Sequence, residues 1–278
     1  MKKIKSLAIL NAVAFFVQLV LSWMAQARLL AVYNIAQVSD KYSSLFTPAG
    51  ISFSIWGLIY LSLAVFCVYH IIMAWSRPAT HPANKDIERI GGWFIMNNLA
   101  TAFWLIAWTN EEISLSVMMI TLQLICLVAI HLRTGMYDPA RETASKWLTQ
   151  FPLSIYFGWI TIATIANVSS FLNVTTWDGW GLDPIDWTNI MIGIAVFITV
   201  LVMTTRRNIF FGLAVIWGLY GIILKRVETD SVLYFHIVRT AWIGISVLGL
   251  VLVLRLIKNR VALKHREEHF PVAHQPLK

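Results

Sequence analysis

Long apolar runs parted by short polar breaks constrain this chain more than any motif in it. A helix crosses the hydrocarbon layer of a bilayer with about 20 apolar residues. Runs of that kind fall at roughly residues 7–27, 51–75, 90–108, 113–132, 150–172, 187–205, 208–224 and 233–256. Inside lipid every backbone N–H and C=O must be satisfied within the segment, so such runs fold as helices. A β-barrel would show alternating segments of about ten residues instead. The expected fold is therefore all-α, a polytopic integral membrane helical bundle of about eight transmembrane helices. Only Arg206 and Arg207 part the sixth run from the seventh, and a re-entrant pair would give the same pattern. The first run follows Lys2, Lys3 and Lys5 as a signal peptide would, but it is long and lacks a small-residue cleavage site. It reads as a retained helix.

The loops orient these runs. With the N-terminus in the cytoplasm, 17 of the 22 Lys and Arg residues fall in cytoplasmic segments, 4 in outer ones, and Arg239 inside the last run. That asymmetry is the positive-inside pattern, and it places both termini in the cytoplasm. The net charge of +8 follows from this topology, with anionic lipid a further partner for the basic stretch 255–266. No nucleic-acid partner is expected. A composition 58% hydrophobic and 13% charged excludes an ordinary soluble domain. The short lysine start and lean loops point to a bacterial plasma membrane. Cys67 and Cys126 lie within runs and read as small apolar packers.

Several chemistries find no support. There is no Walker A loop, no Gly-x-Ser-x-Gly, no HExxH and no acidic pair within the runs. No catalytic residue and no metal ligand is assigned, and no cofactor is required. Asp and Glu sit almost wholly in loops, which counts against a proton-coupled pump. Arg239 is expected to snorkel outward or to pair with Glu228 or Asp230. His265, His269 and His274 lack the spacing of a zinc site and read as part of a solvated basic tail, 258–278. Residues 30–46 could form a helix over the bundle mouth, in its functional version a lid, or an interfacial anchor. Gly179, Gly181 and Pro184 make 173–186 a turn-rich loop.

Thirteen tryptophans in 278 residues need an explanation. An interfacial aromatic belt accounts for Trp23, Trp75, Trp108, Trp147, Trp177, Trp180 and Trp187, near run ends or in loops. Trp56, Trp104, Trp159, Trp217 and Trp242 lie deeper, and a deep indole N–H needs a partner or a ligand. Three helical stripes carry deep indoles: Phe53, Trp56 and Tyr60; Asn97, Thr101, Trp104 and Trp108; and Trp159, Ala163 and Asn167. Asparagine is disfavoured against lipid, so these stripes face the bundle interior. Ala163 leaves room into which a flat ligand could slide, with Asn97, Asn98 and Asn167 to orient it. Close packing through small residues gives the same spacing.

The residues resemble the translocator protein family, also called tryptophan-rich sensory proteins (TspO/MBR). In FSIWGLIY, Phe53, Trp56, Gly57 and Tyr60 fit the family's second helix, with its inner proline replaced. Pro48 resembles a proline before that helix, and NNLATAFWLIAW is similar to the third. Trp159, Ala163, Thr164 and Asn167 match the fifth-helix pattern Trp-x-x-x-Ala-Thr-x-x-Asn. The likeness covers about residues 5–175. The double proline and Trp-rich first loop of many members are absent, and TPAG stands in their place.

The resemblance implies a TspO-like five-helix bundle over 1–175, a further three-helix membrane segment over 176–257, and the tail. It implies a pocket for porphyrins or similar flat ligands, sterols in some members, with Trp56 and Trp159 in its lining, and a homodimer. Light-dependent porphyrin degradation occurs in some members, although no enzyme is expected from the residues. The preferred reading is a membrane ligand-binding or sensory protein whose ligand, a tetrapyrrole or haem-like molecule, meets Phe53, Trp56, Tyr60, Asn97, Asn98, Thr101, Trp104, Trp159, Ala163 and Asn167. A transporter of small hydrophobic molecules and a ligand-free scaffold or accessory subunit are the alternatives.

Overall fold

The computed structural model describes residues 1–135, 137–138 and 141–269, with side chains as far as 259. Among these residues the chain is helical throughout and has no strand. Helix α1 spans Lys2–Gln26 and the short α2 Ile35–Lys41. A 3-10 turn, Gly50–Ser54, leads into α3, Ile55–Ser76. Then come α4 (Pro82–Ile90), α5 (Trp93–Thr109) and α6 (Ile113–Thr134). The three-residue α7, Thr143–Ser145, runs through a π-helical turn, Lys146–Gln150, into α8, Phe151–Val174. The last three are α9 (Pro184–Thr205), α10 (Ile209–Asp230) and α11 (Phe235–His269).

Seven of these helices are long and apolar enough to cross a membrane, and the bent pair α4–α5 passes the same test when taken together, giving up to eight spans. The 53° bend falls at Gly91 and Gly92. Gly91 takes φ +55°, open to glycine without a Cβ penalty. Asn84 fixes α4 against α3: its Nδ2 donates to the carbonyls of Met73, Arg77 and Pro78 at 3.1, 3.1 and 2.9 Å. Of these, the Arg77 carbonyl stands at the C-cap of α3, where the helix itself supplies no partner. The sixth and seventh runs are not a re-entrant pair of half-helices. Each is a full 22-residue helix. Asp183 caps α9, with Pro184 following where a missing N–H does no harm. Asn208 caps α10 through Phe211 N–H at 3.2 Å, and its Nδ2 donates to Ser154 Oγ on α8 at 2.9 Å.

The core sits around α8 and α10, whose spans are 61% and 67% buried. By contrast α1, α9 and α11 are 28%, 28% and 22% buried, so most of their apolar surface is left for acyl chains. Helices α8 and α10 approach through glycine. A Cβ on Gly158 would collide with the Phe211 carbonyl oxygen, and one on Gly218 would lie 2.8 Å from Ile162 Cγ2. Such close approach is how helices associate where lipid removes the hydrophobic drive. The last three helices are thus seated on the first five.

Some details differ from expectation. Arg226, expected in an outer loop, is buried on α10 with its guanidinium 5.0 Å from the Tyr234 ring centroid. Arg239 is exposed and lies over Phe235 at 5.9 Å, and no ion pair to Glu228 or Asp230 is found among the described residues. Helix α11 continues through the start of the expected tail to His269. The side chains of His265 and His269, and the whole of His274, lie outside the described residues. Cys67 and Cys126 are buried and unpaired.

Candidate functional site

Phe53, Trp56, Trp104, Trp159, Ala163 and Asn167 line one cavity of about 40 Å³ among α3, α5, α6 and α8. Helical periodicity brings them there. Trp159, Ala163 and Asn167 recur every four residues on α8, and Trp104 faces them from the buried stripe of α5. Trp159 is only 1% exposed. It meets Trp56 edge-to-face, with centroids 6.4 Å apart and planes at 86°, and Phe53 at 6.1 Å and 83°. The indoles of α3 and α8 therefore touch each other, in a favoured aromatic geometry. A ring cannot slide between them as they stand. The open space is lined instead by Ala163 and Ala166.

The cavity's polar groups are unevenly satisfied. Trp104 Nε1 donates to Asn167 Oδ1 at 3.0 Å, and Asn167 Nδ2 donates to Ser116 Oγ at 3.0 Å. Trp159 Nε1 and Gln123 Nε2 are buried and have no hydrogen-bond partner. Both side chains line the cavity. An unmet buried donor costs about 1–3 kcal/mol. Neither nitrogen is exposed to the open space, so an acceptor-bearing guest would meet these two N–H donors only if the wall shifts.

Tyr60 does not line this cavity. It lines a neighbouring cleft of about 430 Å³ bordered by α1, α2 and α3. Its hydroxyl lies 2.7 Å from Ser22 Oγ and accepts from Gln18 Nε2 at 3.3 Å, while its ring stacks on Trp56 at 5.1 Å. Phe53 and Trp56 line both spaces and form the partition between them. Asn97, Asn98 and Thr101 line neither. Asn97 Nδ2 donates to the Gln123 carbonyl at 3.1 Å, and Asn98 Nδ2 to the Phe94 carbonyl at 2.7 Å. Thr101 Oγ1 joins Gln123 Oε1 at 3.1 Å and Tyr156 Oη at 2.8 Å. Of these three residues, expected at a ligand, Asn97 and Thr101 tie α5 to α6 and α8, and Asn98 bonds the preceding turn of its own helix.

Gln123 is a cavity residue that sequence reasoning missed, and Trp108, on the inward stripe of the third run but also fitting the interfacial belt, is another cavity residue left out of the expected site. Gln123 is a lone amide in an apolar span, the signal that singled out Asn97. Trp108, read as an interfacial belt residue, is buried and donates from Nε1 to the Ile35 carbonyl at 3.1 Å. Of the other deep indoles, Trp217 finds a carbonyl at Ser52, whereas Trp242 is half exposed on the outer side of α11.

Within 30–46, helix α2 packs against one end of the cavity. A reciprocal Asn34–Gln37 capping box starts it, both bonds at 3.0 Å. Val38 is fully buried, and Ser39 reaches the cavity lining. Lys41 Nζ donates to Glu111 Oε2 at 2.6 Å, Tyr42 Oη donates to the same oxygen, and Lys225 Nζ donates to Asp40 Oδ1 at 2.9 Å. The hydrogen bonds from Lys41 and Tyr42 hold the Glu111 carboxyl below its usual range, and the same bonds raise Lys41 and Tyr42. These groups are all in contact with solvent, so each tie is individually weak.

Fold and site together define a polytopic helical membrane protein with an aromatic-lined cavity among its helices. Comparison with known families gives the identity of that class: the family described as TSPO-like protein matches residues 8–254, and the chain belongs to it. The match runs through α9 and α10 and well into α11, so the family's pattern includes the helices beyond the first five. No curated protein and no solved structure gives a match.

Proposed function

We propose that the protein binds a flat hydrophobic ligand carrying hydrogen-bond acceptors, a tetrapyrrole or a molecule like it, in the cavity around Trp159. The observation that carries this reading is the pair of buried donors without a partner among the described residues, Trp159 Nε1 and Gln123 Nε2, on side chains of a mainly aromatic and apolar wall that also holds Ser39, Thr47, Asn167 and Ser170. A few well-placed polar groups in an apolar lining are what a small-molecule site uses to fix orientation.

The size of the space sets a condition. About 40 Å³ has room for no more than a few waters, whereas pockets for drug-sized ligands run to roughly 300–1,000 Å³. On this reading the site must widen to admit its ligand. Rotation of Phe53 and Trp56 would join the cavity to the 430 Å³ cleft beside it. Displacement of α2 would open it from above. With the termini cytoplasmic, as the loop charges favour, α2 lies on the outer side. A ligand-free scaffold is the second reading, favoured by the direct Trp56–Trp159 contact.

Titration of the protein in nanodiscs with protoporphyrin IX tests the proposal through intrinsic Trp fluorescence. Saturable quenching, weakened about tenfold or more in Trp159→Ala and Trp56→Ala, supports it. Absent or unsaturable quenching supports the scaffold. Ligand flux into proteoliposomes would indicate transport, and light-dependent loss of bound porphyrin an enzyme.

A further inference from the structure

Helix α10 contributes no residue to the cavity lining, yet it holds part of the wall. The wall segment is the turn between α2 and α3, which presents Thr47, Pro48 and Phe53 to the cavity. Three contacts fasten it to α10. Trp217 Nε1 donates to the Ser52 carbonyl at 2.9 Å. Ala49 N–H donates to the Gly221 carbonyl at 2.9 Å, a backbone bond from the turn to the side of a helix. Gly221 also provides the seat: a Cβ there would overlap Ser52 Oγ and lie 2.9 Å from Pro48 Cβ. Trp217 and Gly221 are four residues apart, so they stand one turn above the other on a single face of α10.

We infer that Trp217 and Gly221 are positioning residues for the ligand site: through Ser52, Ala49 and Pro48 they fix the cavity wall, and so determine the size of ligand admitted. The inference rests on the ligand-binding reading of the cavity and gives the last three helices a part in it. Phe53 is the side chain most affected. It stands at the end of the clamped turn and belongs to both the cavity and the neighbouring cleft. A turn released from α10 lets Phe53 move and joins the two spaces, which favours a large flat ligand over a small one.

The test uses the full chain in nanodiscs with two substitutions. Trp217→Phe keeps a ring but removes the donor, and Gly221→Ala adds one methyl where the turn sits. Trp242→Phe, half exposed on α11, is the control. Hydrogen exchange of the peptide covering residues 47–54 reports the clamp. Dissociation constants for protoporphyrin IX and for acridine, a small flat probe, report the site. Loss of the Trp217 hydrogen bond is expected to speed exchange in 47–54 about fivefold. The ratio of the two dissociation constants is expected to shift about fivefold or more toward protoporphyrin, since small changes in pocket shape discriminate by such factors. Trp242→Phe leaves both readouts unchanged.

Unmoved exchange in a folded Trp217→Phe protein overturns the inference. So does faster exchange with both affinities changed by one common factor, because a purely structural role does that. If the parent protein binds neither probe, the ligand reading fails. Exchange in 47–54 then decides the clamp by itself: faster in the variant sustains it, unchanged refutes it.

Discussion

The indole of Trp104 on α5 donates to Oδ1 of Asn167 on α8 across 3.0 Å, and Asn167 in turn donates to Ser116 on α6. One amide thus joins three helices at the cavity wall. Replacing Asn167 by Ala leaves the Trp104 N–H buried without an acceptor. The expected cost is about 1–3 kcal/mol, read as a lower unfolding midpoint in detergent. Asn98→Ala is the comparison. The Asn98 Nδ2 bond is local to its own helix, to the Phe94 carbonyl, and joins nothing across helices. Its loss is expected to cost less, and equal losses would argue against a special role for Asn167.

Close packing between α8 and α10 gives a second prediction. A methyl on Gly158 would run into the Phe211 carbonyl and the Ala214 side chain. Gly158→Ala is expected to destabilise by about 1–3 kcal/mol through overpacking. At Gly193 on α9 and Gly249 on α11, an added Cβ meets nothing within 4 Å. There the same substitution is expected to be neutral or to stabilise by roughly 0.5–1 kcal/mol, because it removes glycine's backbone freedom. Thermal unfolding of the three variants side by side distinguishes packing from propensity.

Helix α2 carries a pH dependence whose direction follows from its ion pair. Glu111 is held below its ordinary value of 4.5, so its contribution is present above that value and is lost as pH falls through the depressed value. Lys41 is raised above 10.5, so its contribution is complete below 10.5 and lost only as pH rises through the raised value. The tie is therefore full between pH 4.5 and 10.5. Spin labels on Ala36 and Glu112 are expected to hold one distance across that window and to separate in strong acid. Glu111→Gln is expected to show the wider distance at neutral pH and no further change on acidification. A distance that ignores both treatments would mean that apolar burial of Val38 and Ile35 alone keeps α2 down.

Much of this site could be read from spacing. Trp159, Ala163 and Asn167 stand at steps of four, and an Asn among apolar residues does not face lipid, so their shared inward face follows from periodicity. The same reasoning placed Trp56 and Trp104 inside. It put Trp108 on the same inward stripe as Trp104 but could not decide between that and an interfacial belt, which its position near a span end also matches. Burial of that indole depends on α2 folding back to supply the Ile35 carbonyl, a contact 73 residues distant in the chain. Asn97 and Asn98 were legible as inward but not as structural, since one helix face meets either a cavity or another helix according to its neighbours. The clamp of Trp217 and Gly221 on the turn at 49–52 links elements about 170 residues apart, beyond any local pattern.

The central claim is that the Trp159 N–H is kept free for a ligand. The most direct measurement is the indole ¹⁵N–¹H resonance of Trp159, assigned by its loss in Trp159→Phe, followed as protoporphyrin IX is added in nanodiscs. A downfield proton shift that saturates with binding, as the N–H gains an acceptor, is the result expected. A Trp159 resonance that stays in place while the ligand binds, or while no ligand binds at all, would contradict it.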